Sequence, residues 1–385
     1  MTPGARIAAA IEILDTVQAG HPVEQALTRW ARNSRFAGSG DRAAIRDHVY
    51  DVLRNRRSDA CRGGGATGRS LMIGRLRAEG ADIPALFDGN GHAPAPLSAA
   101  EQSSGAAPQT REDIWNLPDW IADAFAQSLG ARAEATAQML ARRAPVSLRV
   151  NTNKTNLSQA RTRLLDEGID TTENPRAKTA LTITKGPRRL RNSYCYLNGL
   201  VELQDGSSQA AVAGVQGTGT ALDFCAGGGG KALALAAAGW QVTAHDVDAR
   251  RMQDIPARAL RGGHEIAICA PEDIADAGTF DRVFCDAPCT GSGTWRRTPE
   301  AKWALTPDKL QDLVRMQSQV LDAAQAHVAM EGQLIYATCS VLREENEGQI
   351  DAFLARNPTW QVTYQHRWDV DAWGDGFFVA HLERD

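Results

Sequence analysis

An α/β fold with a largely parallel sheet is the architecture that residues 201–385 predict, and three observations carry that expectation. From Ala221 onward, short apolar runs alternate with helix-forming stretches, the rhythm of a parallel sheet covered by helices on both faces. Four successive glycines, Gly227-Gly228-Gly229-Gly230, follow the first of those runs. Acidic residues and cysteines recur at or just past the ends of several runs, and ligands of such sheets bind beyond the carboxyl ends of the strands. A helical N-terminal region and a small α+β segment are expected ahead of this part.

The first element is helical, over residues 5–57. Ile7, Ala10, Ile11, Leu14 and Val17 recur at helical spacing, and so do Ile45, Val49, Val52 and Leu53. Arg42, Arg46, Arg54, Arg56 and Arg57 decorate the second stretch, as a solvated face or as a contact for RNA or protein. The helical domain is set at 1–86. Residues 87–110, rich in Gly, Pro, Ala, Ser and Gln, read as a linker or mobile loop. In a subdomain set at 111–200, residues 112–143 read as helices, with Leu117-Pro118 opening one. Residues 147–151 alternate like a strand, and 156–168 read as a helix with Gly168 as its stop. Residues 180–183 and 194–197 are expected to be further strands. In 201–385, strands are expected at 221–225, 241–245, 266–269, 282–285 and 333–336, with an Ala/Leu-rich helix to Ala238 after the glycines.

At 385 residues the chain exceeds one ordinary domain. Its net charge of −4 excludes a global preference for nucleic acid, but the charge is uneven. Residues 1–110 carry a net +2, 111–200 a net +5, and 201–385 a net −11. The most basic segment holds the run Lys185-Gly186-Pro187-Arg188-Arg189-Leu190-Arg191, a candidate phosphate contact. Seven irregularly spaced cysteines make no disulfide framework, and no Cys-x-x-Cys pair suggests a metal. With no apolar run of about 18 residues and no signal peptide, the expectation is a cytoplasmic, reduced protein without a membrane partner; the sequence does not give the oligomeric state, for which a monomer is the default expectation.

The turn from Asp223 to Lys231 admits several readings. A phosphate-binding loop needs a glycine where Cys225 stands and a Ser or Thr where Ala232 stands, so that reading fails. A dinucleotide fingerprint fits loosely through Gly227, Gly229 and Ala232, with Asp246 further on. In a third reading the turn holds S-adenosylmethionine, with Asp246 on the ribose hydroxyls and Lys231 on the methionine carboxylate. A plain tight turn is the remaining alternative. The candidate cofactor residues are Cys225, Ala226, Gly227, Gly228, Gly229, Gly230, Lys231, Asp246, Arg251, Asp273 and Asp286.

Two cysteines bear on the chemistry. Cys289 ends Asp286-Ala287-Pro288-Cys289, and Cys339 sits in Tyr336-Ala337-Thr338-Cys339-Ser340, each after an apolar run. Carbon 5 of cytosine is a poor nucleophile, and a thiolate that adds to carbon 6 makes it enamine-like and able to attack a sulfonium methyl. An adjacent acid hydrogen-bonded to the ring nitrogen stabilises the adduct, and Asp286 is placed for that. Amine methyltransferases carry an Asn/Asp-Pro-Pro-aromatic turn at this point, which is absent. Cys61, Cys195, Cys269 and Cys285 read as buried, inert thiols.

These residues resemble the Nop/Sun (RsmB-type) RNA cytosine-C5 methyltransferases over about residues 111–385. The matching stretches include Gln204-Asp205-Gly206-Ser207-Ser208-Gln209, the turn to Lys231, His245-Asp246-Val247-Asp248 with Arg251, Asp286 to Gly293, Thr338-Cys339-Ser340, Glu344-Glu345-Asn346-Glu347 and Asp375 to Ala380. The resemblance implies a Rossmann-like S-adenosylmethionine-dependent methyltransferase domain, preceded by a small α+β RNA-binding subdomain and a helical, NusB-like RNA-binding domain. It implies that Cys339 is the nucleophile and that Cys289 assists product release. The expected substrate is RNA, foremost 16S ribosomal RNA, with transfer RNA as an alternative. Trp295, Arg296 and Arg297, after the Pro-Cys loop, are read either as stacking on or clamping the RNA or as ordinary loop packing. One departure is the proline that the family places before its Gly-Gly-Lys, here Gly228, which makes the free turn more flexible. The rival readings are a nicotinamide-dependent oxidoreductase and a non-catalytic RNA-binding or ribosome assembly factor.

Overall fold

A computed structural model describes residues 1–385, and packing divides the chain into two units. One comprises residues 1–126, 130–143 and 295–304; the other comprises 127–129, 144–294 and 305–385. No helix is long and apolar enough to cross a membrane.

The first unit is helical: α1 (Pro3–Gln18), α2 (Val23–Asn33), α3 (Ser39–Arg54), α4 (Arg56–Gly63) and α5 (Gly68–Glu79), with shorter helices after them. Thr2 caps α1 by accepting from the Ala5 amide, and Pro3 occupies the first turn, where no backbone donor is needed. The periodic residues Ile7, Ala10, Leu14, Ile45, Val49 and Val52 meet in one core. Residues 87–110 are not a free linker. Phe87 is buried in the helical core, Arg77 donates to the carbonyls of Arg62, Glu101 and Ser104, and the Ala106 amide donates to Cys61. Trp295 and Arg296, which belong to this unit, are 1% and 0% exposed, so the expectation that they meet RNA is corrected in favour of ordinary loop packing. The Arg296 carbonyl accepts from Arg54 Nε at 2.6 Å, and Trp303 Nε1 donates to the Leu53 carbonyl at 2.7 Å.

The second unit contains two sheets. The smaller has the order β2 (Asp170–Glu173), β3 (Ala180–Lys185), β1 (Val146–Val150), β4 (Val201–Leu203), antiparallel throughout. Tyr194–Leu197, expected as a strand, is a short helix, because Ser193 caps it by accepting from the Tyr196 amide. The larger sheet contains β5 (Thr220–Asp223), β6 (Gln241–His245), β7 (Ile266–Cys269), β8 (Phe280–Asp286), β9 (Val328–Thr338), β10 (Trp360–Trp368) and β11 (Phe377–Arg384). Its order is β10-β11-β9-β8-β5-β6-β7. The run from β9 to β7 is parallel, as expected, and the β10–β11 hairpin extends it antiparallel. From β5 the chain builds outward through β6 and β7, then returns to place β8 and β9 on the other side. The strand order therefore reverses at β5, and the crevice beyond the ends of β5 and β8 is where such a sheet takes its ligand.

Candidate active site

Strands β8 and β9 run parallel with Asp286 opposite Ala337, so the loops that follow them emerge side by side. The Ala287 amide donates to the Ala337 carbonyl and the Gly293 amide to the Cys339 carbonyl, both at 2.9 Å. This register brings Cys289 and Cys339 together, with 3.5 Å between their sulfurs. Both thiols are partly exposed, whereas Cys285, one strand position before Asp286, is fully buried. The hydrogen bond with Cys339 and then burial hold the Cys289 thiol well above its usual value.

A buried carboxylate ties the two loops to each other. Glu345 is 0% exposed and accepts from the Thr290 amide at 2.8 Å, Thr290 Oγ1 at 2.5 Å, Gln317 Nε2 at 3.0 Å and the Ser340 hydroxyl. Ser292 and Ser340 bond through their hydroxyls at 2.9 Å, and the Val341 amide donates to Ser292 Oγ at 2.8 Å. Asn346 accepts from Thr338 Oγ1 and donates to the Ser340 carbonyl at 3.0 Å. Burial raises the Glu345 carboxyl above its ordinary value, against the pull of these donors. A chain of buried, satisfied polar groups of this kind fixes one geometry.

The glycine turn lies at the end of β5. The Phe224 amide donates to the Phe284 carbonyl and the Ala226 amide to His245, both at 2.8 Å, which seats the turn between the ends of β8 and β6. Gly227 and Gly229 have φ of +50° and +80°, and a Cβ on Gly229 would stand 2.7 Å from Ile255 Cγ1. The helix Gly230–Ala237 starts there. Asp246, buried at the end of β6, accepts from the Gly227 amide at 2.9 Å and the Asp248 amide at 3.0 Å and pairs with Arg251 at 3.0 Å. Lys231 Nζ lies 2.5 Å from Asp286 Oδ2. Burial opposes the Lys231 charge, but Asp286 and Asp223 more than offset it and hold the ammonium above the usual lysine value. Beneath them, the Asp223 carboxyl is pushed up to about 7 by burial.

Residues 211–383 match the family model of the 16S rRNA methyltransferase RsmB/F, and residues 117–188 match the ferredoxin-like domain of RsmF/B-like methyltransferases. The ribosomal RNA small subunit methyltransferase B of Citrobacter koseri is 33% identical over 291 residues, which cover 71% of this chain and 68% of that protein. The chain belongs to the RsmB/F methyltransferase family. Its fold agrees along the whole length with the crystal structure of PH0851, at a TM-score of 0.77, 24% identity and coverage of 100% and 99% of the two chains. A methyltransferase homolog protein from Pyrococcus horikoshii superposes at a TM-score of 0.61 and 25% identity, covering 70% of this chain and 96% of that one.

As an RsmB/F-family methyltransferase, the chain needs room for a methyl donor, and the glycine turn fits one. A Cβ on Gly230 would meet nothing within 4 Å, so the start of that helix faces open space. Backbone amides at a helix start suit a carboxylate, and the Lys231 ammonium lies beside them. Two expected cofactor residues behave differently from the rest. Asp246 spends its carboxylate on the turn itself and on Arg251. Asp273 stands exposed in the turn after β7 (Pro271–Asp276), without a hydrogen-bond partner for its side chain. Lys231 and Asp286, expected on two separate ligands, pair with each other. The sequence reading assigned no role to Glu345 or Asp223. The acidic run Glu344-Glu345-Asn346-Glu347 held the only signal for the first, and the strand-end position that singled out Asp246 and Asp286 held one for the second.

Proposed function

We propose that this RsmB/F-family enzyme methylates carbon 5 of a cytosine in 16S ribosomal RNA through a covalent cysteine adduct, with S-adenosylmethionine as the methyl donor. The observation that carries the reading is the pair of partly exposed thiols, 3.5 Å apart, beside the Lys231–Asp286 pair at the end of the parallel sheet. The names of the relatives favour ribosomal over transfer RNA. The turn Gly227 to Lys231 would hold the donor, which supplies an electrophilic sulfonium methyl. The Cys339 thiolate adds to carbon 6, forming an S–C bond and moving electron density to carbon 5. The proton that Cys339 gives up in forming its thiolate ends on ring N3; Asp286 shares one oxygen with Lys231, and its other oxygen accepts from that N3–H, which stabilises the adduct. Once carbon 5 carries the methyl, its proton passes to a water molecule, the electrons of that C–H bond re-form the carbon 5–carbon 6 double bond, and the S–C bond breaks with its electron pair returning to the Cys339 sulfur. The Cys289 thiol, its sulfur 3.5 Å from that of Cys339, donates a hydrogen bond to the departing thiolate. A target cytosine in folded RNA has to be unstacked to reach the pair.

The test is a denaturing gel of the Cys289→Ala protein after incubation with ribosomal RNA and radiolabelled S-adenosylmethionine. The expected result is a labelled, RNase-sensitive shifted band that disappears when Cys339→Ala is added. A band that persists without Cys339 reverses the two roles. Wild-type enzyme that labels no RNA overturns the reading.

A further inference from the structure

The four glycines of the turn after β5 are held one by one. The Gly227 amide donates to Asp246 at 2.9 Å, and the Gly229 amide donates to the Ala226 carbonyl at 2.8 Å. The Gly230 carbonyl accepts from Gln204 Nε2 at 3.2 Å, and Gln204 accepts in turn from the buried Arg149 of β1 at 2.7 Å. At Gly228, where the family places its proline, the carbonyl accepts from Arg258 Nη1, on the helix Ile255–Gly262. The other terminal nitrogen of that guanidinium, Nη2, lies 3.3 Å from Glu202 of β4. Arg261, one turn further along the same helix, holds Glu202 as well, at 2.5 Å. Arg258 is therefore engaged at both ends, on the glycine turn and on a carboxylate anchored in the smaller sheet.

A glycine at 228 with nothing to hold it would let the empty turn sample many conformations, and ligand binding would have to select one of them. Proline restricts that freedom through its ring. A guanidinium fixed at its far end restricts it by keeping the carbonyl in place. We infer that Arg258, braced by Glu202, is a positioning residue for the methyl donor, fixing the turn at Gly228 where the family relies on proline. The inference rests on the turn holding S-adenosylmethionine. A tie between the helix and the smaller sheet does not require Arg258. Arg261 already reaches Glu202 from that helix, and Asn151 donates to the Gly262 carbonyl at 2.7 Å. What Arg258 adds is a polar link from the braced helix to the turn itself.

The test uses the full-length enzyme, S-adenosylmethionine and 16S ribosomal RNA. Arg258→Gln should raise the Kd for S-adenosylmethionine in calorimetry, and its KM, by about fivefold, the scale set by the chain freedom of one residue. At saturating donor, kcat should fall by less than about twofold. The Gly228 amide donates to no acceptor in the protein and its φ lies outside the left-handed region, so a proline there costs no hydrogen bond. Gly228→Pro added to Arg258→Gln should return the Kd to within about twofold of wild type. Gly228→Pro alone should gain less than about twofold, because the turn is already held. An Arg258→Gln protein that binds the donor as wild type does, or an equal gain from proline in both backgrounds, overturns the inference. Should Gly228→Pro by itself lower Tm, Glu202→Gln decides instead. It should weaken donor binding alone and add nothing to Arg258→Gln, and additive losses overturn the inference. Hydrogen exchange across residues 224–232 without ligand separates this inference from the donor reading. Faster exchange in Arg258→Gln, with a wild type that binds no S-adenosylmethionine, would support the clamp and overturn the donor. Unchanged exchange in the variant, with a wild type that binds the donor, overturns the clamp alone.

Discussion

Removing the Glu345 carboxylate tests whether the two cysteine loops depend on one buried group. In Glu345→Ala, four donors lose their acceptor. The Thr290 and Ser340 hydroxyls can rotate toward other acceptors, and one Gln317 Nε2 hydrogen keeps the Pro288 carbonyl, but the other Nε2 hydrogen and the Thr290 amide are fixed and buried. Each stranded donor costs about 1–3 kcal/mol, so the two together cost about 4 kcal/mol. For a unit of this size that lowers Tm by roughly 10 °C. Glu345→Gln keeps one carbonyl oxygen for the two fixed donors, and its amide can donate to the two hydroxyls, so the loss should stay within about 1–2 kcal/mol. Thermal unfolding followed by near-UV circular dichroism reads both variants. Steady-state kinetics should show kcat falling in Glu345→Ala with little change in KM for RNA, because the thiol pair loses its geometry while the RNA surfaces remain. Equal Tm shifts for the two variants, or a shift under about 2 °C for Glu345→Ala, would refute the claim that this carboxylate organises the loops.

Two glycines separate packing from ligand space. A Cβ on Gly293 would meet the Gly376 carbonyl oxygen at 2.4 Å and the Gly376 backbone carbons at 2.8 Å, so Gly293→Ala should cost about 1–3 kcal/mol in unfolding experiments and slow turnover. Gly230→Ala meets nothing within 4 Å and should leave Tm unchanged while weakening S-adenosylmethionine binding by calorimetry. Asp59 supplies a pH dependence: its carboxyl is fully buried, has no hydrogen-bond partner, lies 3.8 Å from Arg75 Nε, and is pushed up to about 8 by burial. Between its ordinary value of 3.8 and about 8 the folded state binds the extra proton, so this group's contribution to stability falls as pH rises through that window. Measured as Tm from pH 4 to 8.5, wild type should lose stability relative to Asp59→Asn, and a constant difference would refute the assignment.

What the sequence disclosed was mostly local. The glycine turn, the Ala/Leu helix and five parallel strands show in consecutive residues, because apolar runs and punctuation are properties of short segments. The positions of Cys289 and Cys339 followed from those strands. Tyr194–Leu197 misled because aromatic side chains suggest a strand, while a single serine before them supplies a helix cap. Residues 87–110 looked unattached because the side chains that fasten them, Arg69 and Arg77, belong to α5. The β10–β11 hairpin went unread, although Trp360, Val362, Tyr364 and Trp368 alternate as a strand requires. The Lys231–Asp286 pair and the Glu345 network stayed hidden for a different reason. Their members lie up to 55 residues apart, and only the sheet order brings them together.

The excursion of residues 295–304 has a consequence for biosynthesis. The helical unit is assembled from residues 1–126 and 130–143 and from ten more, 295–304, that follow 151 residues later. Until those ten emerge, Arg54 Nε lacks the Arg296 carbonyl, and the Leu53 carbonyl lacks the Trp303 donor. On the ribosome, domains ordinarily close in N-to-C order as they are made. Here the N-terminal unit has to wait, incompletely packed, while much of the catalytic unit is translated. Its final closure and the folding of the loop that carries Cys289 are thereby joined in time by one continuous stretch of chain.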